Sequence, residues 1–103
     1  MAFEVVWPQA TLDQLREIHE YIALDNPSAA ERVVDLIVAR TEQFRRTPFI
    51  GTRYPDAHDP RVRQTVVGRY RIFYRVYEDR QEVRILCLWH GSRREPKLPT
   101  EDE

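Results

Sequence analysis

Residues 68–94 read GRYRIFYRVYEDRQEVRILCLWHGSRR, two strand-like runs around a polar turn, stopping at His90-Gly91-Ser92-Arg93-Arg94. Side chains two apart on a strand share a face. Arg69, Arg71, Phe73, Arg75 and Tyr77 therefore line one surface of the first run, with Tyr70, Ile72, Tyr74 and Val76 on the other. In the second run Val83, Ile85, Cys87 and Trp89 share one face, and Arg84, Leu86, Leu88 and His90 the opposite one. Apolar residues on both sides predict an interior strand, or one covered on both sides. The turn near Glu78-Asp79-Arg80 makes the two runs a β-hairpin. A half-buried strand rarely needs that many guanidinium groups among its aromatics. Guanidinium is permanently charged and forks onto phosphate or carboxylate, so the segment points to an anionic partner.

Working outward, residues 61–67 read as a further strand and residues 49–60, with Gly51, Pro55 and Pro60, as an irregular connection. Upstream lie two helical patterns. Leu12, Leu15, Ile18 and Ile22 recur at helical spacing between Gln9 and Ala23. Asp25-Asn26-Pro27 breaks that run and starts another, with Asn26 as N-cap and Pro27 at the first helical position. The second helix carries Ala30, Val33, Val34, Ile37, Val38, Thr41 and Phe44 as an apolar stripe, and is predicted to hold Arg45 and Arg46 in its last turn. So short a link predicts an antiparallel helical hairpin. Phe3-Glu4-Val5-Val6-Trp7 is a first strand ended by Pro8. The order is βααβββ, an α+β domain with the helical hairpin packed on a mostly antiparallel four-stranded sheet.

Length and composition set outer bounds. A chain of 103 residues with 42% hydrophobic and 32% charged content suits one small globular domain. The expected division is one domain over residues 1–95 and an acidic, mobile C-terminal tail over residues 96–103. No apolar run approaches the ~20 residues of a membrane span. The amino terminus lacks the pattern of a secretory signal, and one cysteine allows no internal disulfide, so a cytoplasmic location away from membranes is expected. Charge is unevenly spread. Residues 1–52 hold five arginines against eight acids, whereas residues 53–97 hold ten arginines and Lys97 against six acids. A basic half joined to an acidic one suggests one face for an anion. Cys87, between Leu86 and Leu88, reads as core rather than nucleophile. His19 reads as a boundary residue beside its helix stripe. Trp7 and Trp89 read as packing residues for the helical hairpin. Asp56, His58 and Asp59 lack a ligand geometry, so no metal or other cofactor is expected.

This order of elements resembles the RelE/ParE superfamily of bacterial type II toxins. The likeness runs from Val5-Val6-Trp7 to about Arg94. It rests on the helix register Leu15-Arg16-Glu17-Ile18-His19-Glu20-Tyr21-Ile22, the Asn26-Pro27 turn, the strand Tyr70-Arg71-Ile72-Phe73-Tyr74-Arg75-Val76, and the end of the chain from Val83-Arg84-Ile85-Leu86 to Trp89-His90-Gly91-Ser92-Arg93-Arg94. The resemblance implies a growth inhibitor neutralised by a cognate acidic antitoxin. It implies one of two targets: mRNA on the translating ribosome in the endoribonuclease branch, or DNA gyrase in the ParE branch. It also implies site residues. For RNA cleavage Arg71 and Arg93 match phosphate-binding arginines, and His90 falls where some relatives carry an acid/base histidine. Arg69, Arg71, Arg75, Arg93 and Arg94 are the corresponding candidates for holding a target or antitoxin.

Three departures bear on the branch. Gly91 follows His90 where the ribonucleases place tyrosine, the C-terminal Lys97, Leu98 and Pro99 supply no tyrosine, and Gln64, Thr65 and Val66 stand where one branch carries a lysine pair. His-Gly followed by small and basic residues is common in ParE-like members, so the resemblance leans to gyrase. The ribonuclease and a module that only binds its antitoxin are the alternatives.

Overall fold

A computed structural model describes residues 2–91 and 93–101. Ser92, Asp102 and Glu103, which the sequence reading placed in the terminal basic motif and the acidic tail, lie outside the described residues. The elements are β1 (Glu4–Val6), α1 (Gln9–Ala23), α2 (Pro27–Gln43), β2 (Thr52–Arg53), β3 (Val62–Val67), β4 (Tyr70–Tyr77) and β5 (Glu82–His90), with a single 3-10 turn at Pro55–Ala57. The sheet order is β1-β5-β4-β3-β2. β1 runs parallel to β5 and every other neighbouring pair is antiparallel. The α+β architecture with a helical hairpin on the sheet is as expected, and β5 is interior.

Local chemistry explains most boundaries. Asn26 accepts the Ala29 N–H at 3.1 Å, and Pro27 occupies the first turn, where its missing donor costs nothing. α2 stops at Gln43, so Arg45 and Arg46 lie beyond its last turn rather than in it, and Arg40 takes that place. Phe44 is the C-cap of the helix, and its ring turns into the core, stacking on Tyr74 with centroids 4.1 Å apart. Between β3 and β4 the two-residue turn begins at Gly68, whose φ of 58° favours glycine.

The fifth strand, β2, is the one the sequence reading folded into its irregular connection. Two exposed polar residues carry no periodicity. Tertiary contacts make them a strand: Thr52 and Arg53 pair with Gln64 and Arg63, and the Gly51 N–H donates to the Tyr74 hydroxyl at 2.8 Å. A Cβ at Gly51 would lie 2.4 Å from the Gln64 carbonyl oxygen, so only glycine permits this approach.

The sheet has two differently built faces. Under the helices, Ile72, Tyr74, Val76, Val83, Ile85 and Leu88 pack with Ile37 and Phe44, and Val5, Trp7, Leu15 and Ile18 close over them. On the other side Phe73, Val62, Tyr54, Leu86 and Cys87 form a second apolar cluster joined by Trp89 and Leu98. β4 divides between them as its alternation predicts. β5 does not, because Phe73 pairs with Cys87 and Tyr74 with Ile85, leaving Leu86 as a one-residue bulge. A bulge resets the parity of everything beyond it. Cys87 therefore joins Leu86 instead of Ile85, and Trp89 packs on the helix-free side instead of under the hairpin.

Candidate functional site

The helix-free face of the sheet carries Arg71 and Arg75 of β4, with Arg61 just ahead of β3, and their environment is crowded. Arg71 lies over the Phe73 ring at 4.7 Å with its side chain 15% exposed. One edge of its guanidinium donates from Nε and Nη2 to Gln64 Oε1 at 3.1 and 2.8 Å. The other edge forks onto Glu95, Nη1 to Oε1 at 2.9 Å and Nη2 to Oε2 at 3.0 Å. The Tyr54 hydroxyl also donates to Glu95. Burial, then that hydrogen bond, pushes the Tyr54 phenol up to about 12, so it remains a donor. The hydrogen bonds from Arg71 and Tyr54 hold the Glu95 carboxyl below its ordinary range.

Arg75, 6% exposed, donates from Nε to Asp59 at 3.0 Å, from Nη1 to the Tyr77 hydroxyl at 3.2 Å and from Nη2 to the Pro99 carbonyl at 3.2 Å. Asp59 also takes the Nε–Nη2 edge of Arg61, one donor on each carboxylate oxygen at 3.0 Å, and Arg61 reaches on to Glu101. Burial pushes the Asp59 carboxyl up, but the hydrogen bonds and charges of Arg61 and Arg75 outweigh it and leave it below the usual value. Residues 95–101 thus lie as a strap across the arginines. Glu95 seats on Arg71, Leu98 joins the apolar cluster, the Pro99 carbonyl meets Arg75 and Glu101 meets Arg61. The expected mobile tail is, over its described residues, part of this face.

The other sequence-predicted residues sit elsewhere. His90 ends β5 opposite Tyr70, whose ring meets it edge-on at 5.4 Å. Tyr70 packs on the helix side, and Arg71, next to it, points to the helix-free side. The side chains of His90 and Arg71 therefore leave from opposite faces. His90 and Arg93 line one groove of roughly 630 Å³ between α1 and the end of β5, with Gln14, Glu17, Tyr21 and Tyr70. Arg93 extends over the Trp89 ring at 5.8 Å, and the Arg94 carbonyl accepts from Trp89 Nε1 at 2.5 Å. Arg69 is exposed in the β3–β4 turn. The fold thus groups Arg71 with Arg75, and His90 with Arg93; Arg71 and His90 both border a shallow pocket at the sheet end with Arg69 and Gly91, but their side chains leave from opposite faces and Arg93 is not in its lining.

Tyr54, Asp59, Gln64 and Glu95 are the site residues that sequence reasoning missed. None belongs to a local motif. A signal existed in the charge pattern, since an acidic end follows directly on an arginine-rich half. His19 meets Glu31 at 3.3 Å across the helical hairpin, and Cys87 is buried, with its thiol pushed up by that burial. No helix among the described residues is long and apolar enough to cross a membrane.

The family model described as "ParE toxin of type II toxin-antitoxin system, parDE" matches residues 5–95. No curated protein gives a significant match. Among solved structures, a chain of the chromosomal ParDE TA system from P. aeruginosa superimposes with a TM-score of 0.69 at 22% identity, covering 86% of this chain and 96% of that one. A chain of the RelBE2 toxin-antitoxin complex from Mycobacterium tuberculosis gives 0.67 at 18% identity, covering 87% and 99%. At those identities the two structures speak for the fold alone.

Proposed function

The chain belongs to the ParE toxin family of type II toxin-antitoxin systems, and on that premise we propose that it inhibits DNA gyrase by binding, without hydrolytic chemistry of its own. The observation that supports this is the separation of Arg71 from His90 by the plane of the sheet. Cleavage by 2′-hydroxyl attack needs a proton acceptor and a phosphate clamp on the same reacting group, within hydrogen-bonding reach. A histidine and an arginine leaving opposite faces do not meet that requirement. Arg71 is further occupied by Gln64 and Glu95.

An acidic antitoxin is the expected partner, and the solved chains to which the fold is similar come from a ParDE TA system and a RelBE2 toxin-antitoxin complex. Tyr21, Leu24 and Leu36 are exposed on or next to the helices and suit a partner helix laid across the hairpin. The ribosome-dependent endoribonuclease is the second reading. It is favoured by one observation, that His90 and Arg93 share a groove. Glu17 in that groove opposes a phosphate there.

Purified protein should generate gyrase-dependent double-strand breaks in supercoiled DNA and leave mRNA on translating ribosomes intact. Ribosomal cuts that disappear in His90→Ala and Arg93→Ala, with gyrase untouched, would overturn the proposal.

A further inference from the structure

The strap supplies a carboxylate, an aliphatic side chain and a second carboxylate at fixed spacing: Glu95, Leu98 and Glu101. Each meets a dedicated seat. Glu95 is held by the forked Arg71 and the Tyr54 hydroxyl, Leu98 by the cluster of Tyr54, Val62, Phe73 and Leu86, and Glu101 by Arg61. Between them the Arg75 guanidinium binds a backbone carbonyl, that of Pro99. Main-chain recognition combined with pockets for alternate side chains is how extended peptides are bound. We propose that residues 95–101 are a self-ligand in a peptide site, and that the same site takes, by exchange, an extended segment of a partner protein with the pattern acid-x-x-aliphatic-x-x-acid. The proposal rests on the reading that an acidic antitoxin holds this protein.

Charge selects a peptide over a nucleic acid. Arg61, Arg71 and Arg75 stand against Asp56 and Asp59, so the bare seat carries one net positive charge. With the strap in place, Glu95, Lys97 and Glu101 bring that balance to zero. A run of phosphates would find two carboxylates inside the site and one uncommitted cation, whereas phosphate-backbone binding depends on many. A planar carboxylate fits the single fork that Arg71 offers. While the strap is seated, its own carboxylates occupy the guanidinium groups that an incoming acidic segment would need. Once it lifts, the cation and the apolar pocket become available together.

The test keeps the chain at full length. In Glu95→Gln/Leu98→Ser/Glu101→Gln the strap loses its three anchors, and the synthetic peptide EPKLPTE is titrated against it and the unaltered protein. If the strap is seated in about ten molecules of eleven, apparent affinity for the peptide should rise by about tenfold in the released variant. The peptide QPKSPTQ should not bind. Equal affinity of the two proteins for EPKLPTE overturns the proposal. So does a single-stranded oligonucleotide of comparable length that displaces the peptide at lower concentration, because it would assign the seat to phosphate. Should the triple variant fail to fold, Glu95→Gln alone keeps Leu98 seated and should still raise affinity by about twofold to fourfold, a smaller share of the same equilibrium. No rise in that variant also overturns the proposal. Neither gyrase nor antitoxin enters this titration, so its failure and the failure of the gyrase reading are separately visible.

Discussion

The two faces of the sheet share the strands β3, β4 and β5 but are held by different forces. Beneath the helices, Phe44, Tyr74, Ile37 and Ile85 are fully buried and the face closes by apolar packing. On the helix-free side a smaller apolar cluster is closed by guanidinium-carboxylate pairs and a strap only seven residues long. Packing of the first kind is dense and hardly responds to pH or salt. Contacts of the second kind respond to both and exchange more easily. Tyr74 and Arg75 are neighbours in one strand, yet one anchors the permanent side and the other the exchangeable side. A small toxin can thus keep a rigid frame while one whole surface remains open to competition.

Removing the frame should have the largest effect. Phe44→Ala deletes the ring stacked on Tyr74 and should cost about 3–5 kcal/mol, read from a urea denaturation midpoint. A cost below about 1 kcal/mol would remove the distinction between the faces. Asp59→Ala comes next. It strands Arg75, whose side chain is nearly buried, without its carboxylate. Loss of these charged hydrogen bonds should cost about 2 kcal/mol by the same denaturation measurement. Asn26→Ala is distant from both faces and should cost about 1 kcal/mol through the α2 cap alone. It should leave the arginine face unchanged in chemical-shift spectra.

The most selective effect should come from acid. Asp59, Glu95 and Glu101 all have carboxyls below their ordinary range in the fold. Their contribution is complete above the unfolded carboxylate range of about 4 and is lost as pH falls through the lower folded values. The strap should therefore lift below about pH 4, ahead of the helix side. In a Trp7→Phe background, Trp89 emission should change in that window while far-UV circular dichroism stays constant, because Trp89 is hydrogen-bonded to Arg94 at the root of the strap. Coincident acid transitions in both signals would show one cooperative unit instead of two. Added salt should shift the emission change and leave the dichroism in place.

Legibility in the sequence followed the range of the interactions. α1 begins and ends where its periodicity does, and Asn26 caps α2, because both depend on residues within a turn or two. The alternation of β4 correctly sorted Arg71, Phe73 and Arg75 from Ile72, Tyr74 and Val76. β2 escaped notice because its two residues have no pattern, and the parallel pairing of β1 with β5 joins segments nearly eighty residues apart. The family, too, was legible, since it rests on the order of elements.

By itself the sequence determined every strand and helix but β2, the family and the composition of each face of β4, since all three follow from local periodicity and order along the chain. The tertiary structure decided which groups meet. One extra residue at Leu86 turns His90 away from Arg71, and a carboxylate twenty-four positions downstream satisfies the arginine that composition alone offers to an outside anion. A bulge forms only when two strands settle their register, and an ion pair only when the chain folds back. Neither leaves a local mark in the residues that take part.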